Sequence, residues 1–205
     1  MAEATVRLNR FGMEQGRTWP AVAVALAIAI PIMFWTFLER GASQLSEAAP
    51  RGSMITVNSY PEDGARLSFA IPSSGWQHDV SVSPAEATIR RGSITLTVQV
   101  SAGVNDLERF MERRSDNVVA NNTQVIASRP HPYRSHTAQL DGYWSDLVGR
   151  STSGAIVVLR NGSGDDQAAR ARGAITVIAL APAGRLDEGM TELERLLDSM
   201  LLEVK

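Results

Sequence analysis

The chain has 205 residues, a formal net charge of −2 and no cysteine. The missing cysteine excludes a disulfide framework, a thiolate metal site, a thiol nucleophile and a lipidated N-terminal cysteine. The faintly acidic balance leaves no basic surplus to hold nucleic acid by counterion release.

Residues 1–17 are a polar stretch carrying Arg7, Arg10 and Arg17. From Thr18 to Leu38 no residue is charged (TWPAVAVALAIAIPIMFWTFL). Roughly twenty such residues at about 1.5 Å rise each cross a hydrocarbon core about 30 Å thick, so the stretch predicts a transmembrane helix. Trp19 at one end and Trp35 and Phe37 at the other suit the two interfaces. Pro20 fits a first helical turn, and Pro31 predicts a kink that a membrane span tolerates. Trp19, Pro31, Phe34, Trp35 and Phe37 are therefore the expected anchor and partner-contact residues. A cleaved signal peptide competes, with small residues at 41–43 and 48, but the apolar run exceeds the roughly 7–15 residues of a signal h-region. Arg7, Arg10 and Arg17 before the span outnumber Arg40 and Arg51 after it. That bias expects a cytoplasmic tail (1–17), a span (18–38), a small-residue tether (39–53) and an extracytoplasmic domain (54–205). Arginine occurs 19 times and lysine once, a bias associated with GC-rich bacterial genomes.

Beyond the tether the hydrophobic period becomes two. Met54–Tyr60 and Leu67–Ile71 read as strands around the turn Pro61-Glu62-Asp63-Gly64. Pro72–Gly75 breaks the chain before Trp76. Ala87–Arg91 and Ser93–Ala102 read as a hairpin around Gly92, the second strand alternating Ile94, Leu96, Val98 and Val100 with polar residues. Asn105 or Asp106 caps an expected helix to about Asn121, with Leu107, Phe110, Met111, Val118 and Val119 on its apolar side and Arg113 and Arg114 among its polar positions. Strands follow at 124–128, 137–148 and 155–159, then a polar loop at 161–172 and a strand at 174–181. Leu186, Met190, Leu193, Leu197 and Met200 recur at spacings of four and three, which predicts a closing helix packed on the sheet. The fold class is α+β: an antiparallel sheet backed by helices, preceded by one transmembrane helix.

A strand running into Pro-x-x-Gly-Trp (Phe69, Ile71, Pro72, Gly75, Trp76), a hairpin, one helix, a meander and a closing helix with Leu196, Leu197 and Ser199 resembles the PsbP-like fold. The resemblance covers about Met54 to Glu203. It implies a sheet backed by helices in a non-catalytic accessory or binding module, and it carries no functional residue across.

Candidate chemistry is sparse. His131 and His136 in HPYRSH, with His78 elsewhere, read as inert loop histidines, because catalytic zinc wants three protein ligands. Asp165 and Asp166 lack the spaced oxygens and distal Glu of a calcium loop. No Gly-x-Ser-x-Gly elbow and no phosphate-binding glycine pattern occurs. Trp76 and Trp144 read as core. Arg129, Arg134 and Arg150 flank the middle strands and form a candidate basic surface for anionic headgroups or an acidic loop. No catalytic residue, cofactor or metal is expected. The expected partners are the lipid bilayer and an integral membrane protein complex, of respiratory-chain or envelope-lipid-export type. The alternative is a lipid or small-molecule binder with an apolar cleft beneath the last helix.

Overall fold

The computed structural model describes residues 28, 30, 46–59, 64–79, 83–121, 125–162 and 173–204. The chain divides into two units, Met1–Leu45 and Ser46–Lys205. Of the first, Ile28 and Ile30 are described; both are helical and about three-fifths exposed. The expected anchor residues Trp19, Pro31, Phe34, Trp35 and Phe37 lie outside the described residues, as do the turn at 61–63 and most of the polar loop at 161–172. Among the described residues no helix is long and apolar enough to cross a membrane.

The second unit is α+β and mostly antiparallel. Its strands are β1 (Ser46–Ala49), β2 (Met54–Asn58), β3 (Ala65–Ala70), β4 (Trp76–Asp79), β5 (Glu86–Arg91), β6 (Ile94–Ala102), β7 (Val125–Ala127), β8 (His131–Arg134), β9 (Leu140–Gly149), β10 (Thr152–Asn161), β11 (Gly173–Pro182) and β12 (Leu201–Val204). Helix α1 spans Leu107–Asn121 and helix α2 spans Leu186–Asp198, after a 3-10 turn at Ala183–Arg185. A nine-stranded sheet runs β1-β4-β5-β6-β11-β10-β9, where β7 and β8 both pair with β9 at the far edge. A second sheet, β12-β3-β2, covers part of one face.

The burial pattern follows from what covers each strand. On β10 the run Ala155–Leu159 is buried at every position, because α1 lies over one face and α2 over the other; such a strand reads as continuously apolar. On β6 only Ile94, Leu96, Val98 and Val100 are buried, while the intervening Thr95, Thr97 and Gln99 are half-exposed. They face the side that α1, lying over β7, β9 and β10, does not reach. The β5–β6 hairpin closes through Gly92 and Ser93, Arg91 standing opposite Ile94. Gly92 takes φ +60°, which a two-residue hairpin loop asks of its first position.

The core lies between the main sheet, the small sheet and α2. Leu193, Leu196 and Leu197 are fully buried there with Val57, Leu67, Phe69 and Trp76. Each buried Leu contributes about 1.5–3 kcal/mol, enough to hold a short helix in place. A second cluster of Leu107, Met111, Leu147, Ile156, Val158 and Ala174 seats α1 on the opposite face. Asp106 caps α1 as expected, its Oδ1 accepting the Arg109 N–H at 2.9 Å.

Four elements depart from the sequence reading. Part of the expected tether, Ser46–Ala49, is β1, paired with β4, and the compact unit begins at Ser46 rather than Met54. The pairing and the burial of Ala49 override the poor strand propensity of Ser-Glu-Ala-Ala. Trp76–Asp79 is β4. His131–Arg134, read as loop, is β8, which β9 recruits by hydrogen bonding. The closing helix stops at Asp198, and Leu201–Val204 pairs with β3. Leu202 is buried and Leu201 and Glu203 exposed, a period of two that the preceding Leu197 and Met200 hide in the sequence.

Candidate functional surface

The Pro-x-x-Gly-Trp segment is placed for structure. Glu192 of α2 is 3% exposed and accepts from four groups. These are Ser73 Oγ at 2.8 Å, Trp76 Nε1 at 3.4 Å, Arg91 Nη1 at 3.3 Å and Arg195 Nη1 at 3.0 Å. Arg91 also reaches Glu188 at 2.6 Å, and its guanidinium lies over the Trp76 ring, 5.3 Å from the centroid. Arg185 and then Arg91 beside Glu188 hold that carboxyl below its ordinary range. Four donors fill the acceptor capacity of a carboxylate, so Glu192 is fixed in place by its neighbours. The network ties α2 to the β3–β4 connection and to β5. Ser199 adds a second tie, its Oγ accepting the Ala70 N–H at 3.1 Å.

At the β9 edge the chain presents a different surface. Ile126 of β7 stands opposite Val148 of β9, and the two are 70% and 55% exposed. Alternation along β9 puts Val148, Asp146 and Trp144 on one face, the face that carries α2. Trp144 packs against Tyr133 of β8 with ring centroids 5.2 Å apart, and its Nε1 donates to Asp146 Oδ1 at 2.8 Å. Burial first, then the charges of Asp198 and Glu194 on α2, raise the Tyr133 pKa. The result is an apolar pair, Ile126 with Val148, and an aromatic pair, Tyr133 with Trp144, on one sheet face with the exposed Asp146 between them. Sequence reasoning found these strands and not this strip, because the pairing of Ile126 with Val148 depends on register.

The edge itself is blunted. Residues 128–130 separate β7 from β8 along β9: Ser128 Oγ accepts the Asp146 N–H at 2.9 Å, and Ser145 Oγ donates to the Ser128 carbonyl at 2.7 Å. Two short strands, a break and Pro132 discourage strand addition. The strip therefore offers side chains to a partner and not backbone.

The three arginines do not converge. Arg134 pairs with Asp141, Nε to Oδ1 at 2.6 Å, and that hydrogen bond raises its pKa. Arg129 is exposed in the β7–β8 connection, and Arg150 is exposed beyond the end of β9. Arg134 stands opposite Asp141 and Arg150 follows Gly149, so roughly 30 Å of strand separates them. His131 lies on β8 and His136 in the turn beyond it, both exposed, while His78 lies on β4. Among the described residues no cluster of three metal-ligating side chains occurs. A shallow cleft of about 250 Å³ at the β8–β9 turn is lined by Arg134, Ser135, His136, Gln139, Asp141 and Gly162. Trp76 is core, as the sequence indicated, whereas Trp144 is only half-buried.

No protein-family model matches the sequence, and no curated protein matches it. Among solved structures, a crystal structure from Bacteroides thetaiotaomicron VPI-5482 is similar at a TM-score of 0.40 and 13% identity, over 73% of this chain and 48% of that chain. The chain thus spans about half the length of that structure.

Proposed function

We propose that the chain is a single-pass, membrane-anchored, non-catalytic accessory subunit of a larger bacterial membrane complex. Its tail is cytoplasmic and its domain extracytoplasmic. The domain is read as PsbP-like, which the antiparallel sheet, the Pro72–Trp76 segment and the helix α2 support. The residues of 18–38 support the anchor by their length and freedom from charge.

One observation carries the binding role: the outward-facing Ile126–Val148 pair, on the sheet face that also carries the Tyr133–Trp144 pair. Large exposed apolar side chains that adjoin one another and carry a polar rim mark interaction surfaces. Asp146, Glu194 and Asp198 select the partner by charge, so the partner presents apolar side chains flanked by Lys or Arg. A carrier role would need space beneath α2, and Leu193, Leu196, Leu197 and Met200 fill that interface. A respiratory-chain assembly and an envelope-lipid export machine both fit this chemistry.

The test is purification from native membranes in mild detergent of the wild type and of the double variant Ile126→Asp, Val148→Asp. The wild type carries stoichiometric integral membrane partners. The variant keeps its melting temperature, since both side chains already face solvent, and elutes alone. A wild type that elutes alone, or a variant that keeps its partners, overturns the proposal.

A further inference from the structure

On the face opposite α2, where α1 stops short of β6, a cleft of about 340 Å³ opens between α1 and the sheet, bounded by Ser83, Glu86, Gln99, Ser101, Ala102 and Arg114. Two opposite charges stand in its walls without joining. The Arg114 guanidinium is half-buried, stacked on Phe110 at 4.9 Å, and its polar contact is the Ser101 hydroxyl at 3.2 Å. Glu86 on β5 is held by the Gln99 amide at 2.7 Å. Among the described residues no ion pair engages Arg114. Burial, and then the neighbouring Arg113, lower the Arg114 pKa, while Glu86 acts weakly against them. The cation is thus short of negative charge where it sits.

Two buried hydroxyls neighbour the cleft's lining in sequence and register without lining it. Among the described residues, Ser115 Oγ and Thr176 Oγ1 are buried without a hydrogen-bond partner. Ser115 follows Arg114 on α1, and Thr176 stands opposite the cleft residue Gln99 on the adjoining strand. Neither hydroxyl lines the cleft, so the site rests on Arg114, Ser101, Glu86 and Gln99.

We propose that this cleft binds a small zwitterion, its carboxylate on Arg114 and Ser101 and its primary ammonium on Glu86. Gln99 holds the Glu86 carboxylate toward the cleft, and Arg114, lying over Phe110, is preset to meet a carboxylate. The site, over β5 and β6, is independent of the β9 strip, which lies at a sheet edge and on the other face.

The experiment is isothermal titration calorimetry on the detergent-solubilised full chain. The probes are L-alanine, γ-aminobutyrate and L-alanyl-L-alanine, whose charges are separated by increasing lengths. For whichever binds, the N-acetylated and the carboxamide forms follow. At least one free zwitterion binds saturably, and capping either end weakens it about tenfold or more, a change of roughly 1.4 kcal/mol. Arg114→Met removes binding. Glu86→Gln makes the free and the N-acetylated forms equal, a loss of preference that mere misfolding does not produce. Absence of saturable heat with all three probes overturns the proposal, as does equal binding of free and capped forms to the wild type.

Discussion

Replacing Glu192 with Ala should cost the domain about 3 kcal/mol, and the structure shows how that figure divides. Arg195 is 57% exposed at the side chain, so its bridge behaves as a surface pair contributing about 0–1 kcal/mol. Arg91 is 20% exposed and keeps Glu188, so losing Glu192 does not strand it, and its share is about 1 kcal/mol. The Ser73 hydroxyl loses a buried charged acceptor, while the Trp76 indole N–H keeps its 3.1 Å bond to Ser73 Oγ, so together they cost about 1–3 kcal/mol. In a domain of this size each kcal/mol moves the melting temperature by about 2–4 °C, so the midpoint should fall by about 6–12 °C. Glu192→Gln keeps the shape and one acceptor oxygen and should lose about half as much. Thermal and urea denaturation followed by circular dichroism measure both variants. A loss below about 1 kcal/mol for Glu192→Ala would refute the reasoning. So would strict additivity with Arg91→Ala in a double-mutant cycle, since contacting groups should couple.

Gly154→Ala should destabilise by about 1–3 kcal/mol, because a Cβ there would overlap the Ala179 carbonyl of the adjoining strand; a variant that melts with the wild type shows that the β10–β11 contact is looser. Tyr133 should titrate above its ordinary 10.0, since burial, then Asp198 and Glu194, disfavour the phenolate. Its folded pKa is raised, so this contribution to stability is complete below the unfolded value and disappears as pH rises through the folded one. The difference in phenolate absorbance between wild type and Tyr133→Phe reads that midpoint, and Asp198→Asn should lower it by less than the whole shift, because burial is the larger cause. Protease added to intact spheroplasts should digest the domain and leave a membrane-bound fragment with the native N-terminus. A protected domain reverses the orientation, and a mature terminus near Ser43 or Ala49 removes the anchor.

The order of strands around both helices was legible because alternation on β6 and the continuous apolar run on β10 each report how many faces are covered. The cap at Asp106 was legible because capping is local. What escaped was whatever depends on pairing across long separations. Ser46–Ala49 and His131–Arg134 have weak strand composition and are strands because β4 and β9 supply their hydrogen bonds. Leu201–Val204 continues an apolar helical spacing and leaves it only to meet β3. The candidate surfaces were illegible for the same reason: Ile126 meets Val148, and Glu86 meets the Arg114 cleft, only once register is known. The motif that stood out, Pro72 to Trp76, proved to be the socket for Glu192, a residue on which the sequence gives no hint of burial.

The pairing of β12 with β3 sets an order on the biosynthesis of this protein. β3 emerges early and waits for a partner that arrives after every other element described here. Until residues 201–204 are synthesised, one edge of β3 has no strand beside it. Until α2 is synthesised, Leu67, Phe69 and Trp76 also lack the leucines that cover them. A nascent or prematurely terminated chain therefore displays an unpaired edge and a bare apolar face, the features that holdases and proteases read. Escape from that surveillance depends on residues 201–204, so the fold closes over β3 only once translation has passed Val204.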